Sequence, residues 1–134
     1  MWKSAPRLIA LALTAILLVP YWGCGAGGTA TPALLPVKGK VTYKGRPLTN
    51  GMVRFEPEGY GRMARGKLQS DGTFVLTTLK DGDGVVAGHH RVSITGFEKS
   101  LANDPALKKY TSPNTSRLTV EVDQEHIEFP LDLK

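Results

Sequence analysis

The sequence predicts an all-β fold, a seven-stranded antiparallel β-sandwich set behind an N-terminal signal helix. Three observations carry that prediction. The chain has 134 residues, which suits one small domain. Its 15 glycines and 9 prolines call for many turns, and so for short strands in place of long helices. From Val37 onward, apolar and polar residues alternate with period two in a series of short runs. A single cysteine excludes a disulfide-stapled scaffold, and 41% hydrophobic with 22% charged residues excludes a disordered chain.

The first element is an address. Lys3 and Arg7 give a positive start, and Leu8 to Val19 is an apolar run of twelve residues interrupted only by Thr14. Twelve helical residues span about 18 Å, whereas a bilayer core needs about 30 Å. The run therefore fits the h-region of a signal peptide over residues 1–23, and Pro20 ends it. Gly23-Cys24-Gly25 follows, with a small residue directly before the one cysteine. This resembles the lipobox of bacterial lipoproteins, from which Tyr21 and Trp22 depart. The resemblance implies that the Cys24 thiol is joined to diacylglycerol, that cleavage precedes it, and that the new N-terminus is acylated (palmitate is typical). Such chains would tether the protein to a membrane, extracytoplasmically, without spanning it. Residues 24–36 are uncharged and rich in Gly and Pro, so a flexible linker is expected there.

The strands come next, in a domain over residues 37–134. Val37 to Tyr43 alternates, with Val37, Gly39, Val41 and Tyr43 on one side. Lys44 to Leu48 supplies a turn. Met52 to Glu56 turns Val53 and Phe55 inward, and Ala64 to Gln69 is a weaker strand. Ser70-Asp71-Gly72 marks a hairpin, since Asp-Gly accepts positive φ. Thr73 to Leu79 follows, then a Lys80 to Gly84 loop, then His89 to Phe97 with His90, Val92 and Ile94 on one face. Between Leu101 and Lys109 one or two helical turns are expected, limited by Pro105 and Pro113. Leu118 to Val122 and His126 to Leu133 close the chain as a pair joined at Asp123 to Glu125. Pro130 makes the final strand an edge or interrupts it.

Several of these turns have a familiar order. Gly39, Val41, Gly45, Pro47 and Leu48 are followed by Gly51, Val53 and Phe55, then Asp71, Gly72 and Phe74, then Gly88 and Val92. Over residues 37–134 this pattern resembles the carboxypeptidase regulatory-like, or transthyretin-like, domain. That family usually has a tyrosine where this chain has His90. The segment from Lys109 to Val122 is similar to the tail of small bacterial lipoproteins carrying the domain. The resemblance implies an accessory sandwich module with no activity of its own.

His89 and His90 point to opposite faces of a strand and cannot readily grip one metal, while His126 lies on a distant segment. Asp81-Gly82-Asp83-Gly84 resembles the start of a calcium loop, which makes Asp81 and Asp83 metal candidates. The rest of the twelve-residue pattern is missing, with valines at 85 and 92 where ligands belong. No nucleophile elbow or phosphate loop occurs. Tyr60, in a Gly-Tyr-Gly loop, is the aromatic best placed to be an exposed ligand platform, since Trp2 and Trp22 fall in the signal segment. Arg54, Arg62, Arg65 and Lys67 form a basic stretch that could meet phospholipid head groups or acidic glycans, but with Glu56 and Glu58 among them it reads as a mixed, solvated face.

The sequence thus leads to a lipid-anchored module of a bacterial cell envelope, binding or scaffolding an envelope protein or glycan, with no catalytic residue and no cofactor. A metal-dependent hydrolase using His90 and the Asp81/Asp83 loop is the alternative, and a glycan-binding module is a third reading. Nucleic acid is not expected as a partner. Two of the 17 cations, Lys3 and Arg7, lie in the signal segment, so the charge of +5 becomes +3 without it.

Overall fold

The computed structural model describes residues 31–134. The signal segment 1–23, Cys24 and most of the expected linker lie outside the described residues. Within them the chain is mostly β, and no helix is long and apolar enough to cross a membrane.

The strands are β1 (Leu34–Leu35), β2 (Lys38–Tyr43), β3 (Arg46–Pro47), β4 (Met52–Pro57), β5 (Ala64–Lys67), β6 (Thr73–Val75), β7 (Val85–Val86), β8 (Gly88–Thr95), β9 (Leu118–Val122) and β10 (Glu128–Leu133). Short helices α1 (Lys99–Ala102), α2 (Pro105–Lys108) and α3 (Pro113–Ser116), with a 3-10 turn at Lys109–Thr111, fill the gap between β8 and β9. As expected, Pro105 and Pro113 limit this segment to four-residue turns. Each proline opens a new turn at its first position, behind Asp104 and Ser112 caps that accept from the Ala106 and Asn114 amides.

Two four-stranded sheets hold the core. In the first, the order is β5-β4-β8-β9, all antiparallel. In the second, β2 carries β10 along one edge, while β6 and β3 share the other. Val53, Phe55, Val92 and Ile94 from the first sheet and Val41, Phe74, Leu131 and Leu133 from the second are buried together. Phe55 links the sheets directly, with its ring centroid 6.1 Å from that of Phe74 and 5.8 Å from that of Phe129. Burying such a ring contributes roughly 1.5–3 kcal/mol. Gly39 is the space-maker: a Cβ there would lie 2.3 Å from the Phe129 carbonyl and 2.5 Å from the Phe74 ring. Leu107 and Tyr110 from the helical segment are buried against the same core, and the Tyr110 hydroxyl donates to the Lys134 carbonyl at 3.1 Å.

All seven expected strands are present, with shifted ends, and three two-residue strands add to them. Leu34–Leu35, placed in the linker by composition, pair with Val85–Val86. Uncharged leucines next to Pro36 gain more by covering the core edge than by facing water. The sheets are not wholly antiparallel, because β10 runs parallel to β2. The closing pair does not form either. β9 pairs with β8 in one sheet and β10 with β2 in the other, so the Asp123 turn is a crossing between sheets. The same holds at Asp71-Gly72: the turn forms, yet β5 and β6 belong to different sheets, their arms tied by a Gln69–Thr73 backbone hydrogen bond and an Arg65–Thr77 bridge. β10 does lie at a sheet edge, where Pro130 costs no ladder bond.

Candidate functional site

A groove of about 580 Å³ opens beside β1, between the β4–β5 and β6–β7 loops. Its walls come from three stretches. Thr31, Pro32 and Leu34 lead into and form β1, Tyr60 and Arg62 belong to the β4–β5 loop, and Thr78, Leu79 and Val86 flank the β6–β7 loop. Tyr60 is 89% exposed and Leu79 56% exposed, so two large apolar surfaces face solvent at its mouth.

The β6–β7 loop is held by one carboxylate. Asp83 accepts from the amides of Thr78, Leu79 and Lys80 at 2.7, 2.9 and 2.8 Å. Partial burial opposes its ionisation, but these donors together keep its pKa below the usual carboxylate value. Gly82 donates to the Thr77 hydroxyl, and Thr78 Oγ1 donates to the Gly84 carbonyl. Gly84 has φ +90°, and a Cβ there would sit 1.8 Å from the Leu35 carbonyl. The loop therefore presses directly on β1, which fixes the groove wall.

His90 is bonded to Val86, a residue of the groove wall. Its ring is buried, 6.0 Å from the Phe55 ring, and Nε2 donates to the Val86 carbonyl at 2.8 Å. Burial holds its pKa below the ordinary value, which keeps the imidazole neutral, and Nδ1 has no hydrogen-bond partner among the described residues. Facing a carbonyl, Nε2 carries the proton and Nδ1 the lone pair. The position expected to hold an aromatic thus holds a flat ring that also ties β8 to Val86.

The metal candidates are not brought together. Both Asp83 oxygens are taken up by amides, Asp81 is exposed, and His90 is sealed inside. No group of three or more His, Cys, Asp or Glu among the described residues is arranged to hold a metal. His89 is exposed, with Nε2 3.9 Å from Glu121. His126 serves the sheet crossing. Asp123 Oδ1 accepts from the Glu125 and His126 amides at 2.8 and 2.7 Å, and the His126 Nδ1 lies 2.9 Å from the same carboxylate. That hydrogen bond raises the His126 pKa and lowers that of Asp123.

Tyr60 stands exposed, as the Gly-Tyr-Gly loop suggests. The residues that sequence reading missed are Thr31, Pro32, Leu34, Leu79 and Val86. The Leu34-Leu35 pair, inside an otherwise small-residue segment, was the available signal. No protein-family model, curated protein or solved structure matches this chain.

Proposed function

We propose that this protein is a lipid-anchored, extracytoplasmic β-sandwich module that binds or scaffolds a partner at the envelope and does not catalyse. The observation that carries the anchor is the apolar run ending at Gly23-Cys24. The reading of the fold as a seven-stranded, transthyretin-like sandwich with three added short strands rests on the ordered turn motifs and on the two facing sheets. The binding role is supported by the groove. Its walls are mainly apolar, a pinned loop holds them, and the imidazole bonded to Val86 of its wall is buried. Cells fed a radioactive fatty acid test the anchor: label is expected on the wild type and absent from Cys24→Ser. An unlabelled wild type, or equal label in both, removes the anchor from this reading.

Glycan binding is the second reading. It rests on Tyr60, whose exposed ring stands beside Arg62 at the groove mouth. A glycan array probed with wild type and Tyr60→Ala decides it: binding lost with the ring supports it, and no binding ends it.

A further inference from the structure

The outer face of the first sheet carries an uncommon pairing. In the β4–β5 ladder Arg54 stands directly opposite Arg65, and Met52 opposite Lys67. Val53, Phe55, Ala64 and Gly66 alternate with them and are buried, so both arginines project from the same, solvent-facing side. Directly opposed residues in such a ladder have Cβ atoms about 5 Å apart, and like charges there repel. The neighbouring acids do not relieve this. Glu58 lies beyond the end of β4 and pairs with neither arginine, Glu56 is engaged with Arg91 at 3.4 Å, Glu121 lies by His89, and Glu98 accepts from Asn50. Among the described residues neither arginine forms an ion pair, and the first 30 residues contain no acid at all. The mixed, solvated face expected from the sequence is therefore segregated: its one central carboxylate is spent on Arg91, and a guanidinium pair remains.

We propose that this face docks on an anionic lipid surface, with Arg54 and Arg65 bridged by headgroup phosphates. Two arginines on directly opposed positions supply forked donors that match phosphate oxygens, and a shared anion removes their mutual repulsion. The apolar contribution comes from the same end of the sheet. Met63, just before β5, is 46% exposed, and the loop joining β4 to β5 carries the exposed Tyr60 and Arg62. Position along the chain agrees. Thr31 lies in the groove beside Tyr60 and Arg62. Cys24 lies seven positions earlier, a reach of at most about 25 Å. This step rests on the proposed anchor, which would hold the β4–β5 loop close to the bilayer.

The test uses full-length Cys24→Ser protein, which has no acyl chain, with vesicles of phosphatidylcholine alone and of phosphatidylcholine mixed equally with phosphatidylglycerol. Each cation near an anionic surface strengthens association roughly fivefold. Arg54→Thr or Arg65→Thr alone should lower partition into the mixed vesicles roughly fivefold, and the pair roughly thirtyfold, with partition into neutral vesicles unchanged. Lys108→Ala with Lys109→Ala removes the same charge from the helical segment and should leave both partitions alone. If the double arginine variant fails to fold, the single variants decide. Equal losses for the arginine and lysine variants overturn the proposal, as does a wild type indifferent to phosphatidylglycerol, or one retained on heparin but not on vesicles. The acyl chain is absent throughout and residues 1–23 are the same in every variant, so the differences between variants read the face alone, while fatty-acid labelling reads the anchor alone.

Discussion

Both sheets place cations on their outer faces, and the two faces treat them in opposite ways. On the second sheet, the parallel β2–β10 register sets Lys38 against Glu128 with an ion pair of 2.9 Å, and Thr42 against Asp132 with a hydrogen bond of 3.0 Å. On the first sheet, the antiparallel β4–β5 register sets Arg54 against Arg65. β2 and β10 carry two cations and two acids, whereas β4 and β5 carry three cations and one acid. Register then sets which of them stand opposite, and the cross-strand partner decides whether a charge is neutralised or doubled. Lys38 finds its counter-charge within the chain, whereas Arg54 and Arg65 are left to recruit an anion.

The comparison can be broken or sharpened by substitution. Phe55→Ala removes the ring that joins the sheets and is expected to cost about 3–5 kcal/mol, degrading both faces together; urea denaturation measures it. A loss under about 1 kcal/mol would show that the sheets do not depend on this ring. Gly39→Ala acts on one sheet only. Its methyl would collide with the Phe129 carbonyl and Phe74, loosening β10 from β2 at a cost of about 1–3 kcal/mol. Amide hydrogen exchange should speed up in β10 and β2 and remain slow in β4 and β8; uniform acceleration would contradict the separation.

The charge reversals are smaller. Arg54→Glu turns the like pair into an opposite pair and should stabilise the fold by about 0.2–1 kcal/mol, whereas Glu128→Lys should destabilise by a similar amount. Both effects should shrink with added salt. A melting temperature that falls in Arg54→Glu would contradict the repulsion. The smallest effect concerns the crossing between sheets. His126 has its pKa raised by the Asp123 carboxylate, so its contribution is fully present below about 6.5, the unfolded value, and is lost as pH rises through the folded pKa. The pair is exposed, so the slope is slight, and Asp123→Asn should flatten it in thermal melts across that window.

Local physics made much of this legible. Period-two alternation correctly faced Val41, Val53, Phe55, Phe74, Val92 and Ile94 inward, because a pleated strand leaves only two sides. The turn at Asp71-Gly72 was readable for the same kind of reason: Gly72 adopts φ +80°, and Asp71 accepts from the Thr73 amide. The candidate site was readable in pieces. Tyr60 was visible as an exposed aromatic, but its partners Leu34, Leu79 and Val86 are far apart in the chain and meet only by folding. Asp83 looked like a ligand because an acid between glycines suits both a metal loop and an amide-capped loop. Only the positions of Thr78, Leu79 and Lys80 distinguish them.

The sequence by itself determined that the chain forms short strands, which side of each faces the core, and where the backbone turns. Those are properties of residues within a few positions of one another. Tertiary structure alone decided which strands pair. A turn fixes a change of direction but not the sheet that the next strand joins, so both the Asp71-Gly72 turn and the Asp123 turn became crossings between sheets. Pairing then assigned Glu128 to Lys38 and Arg65 to Arg54, since cross-strand neighbours are set by register over long separations.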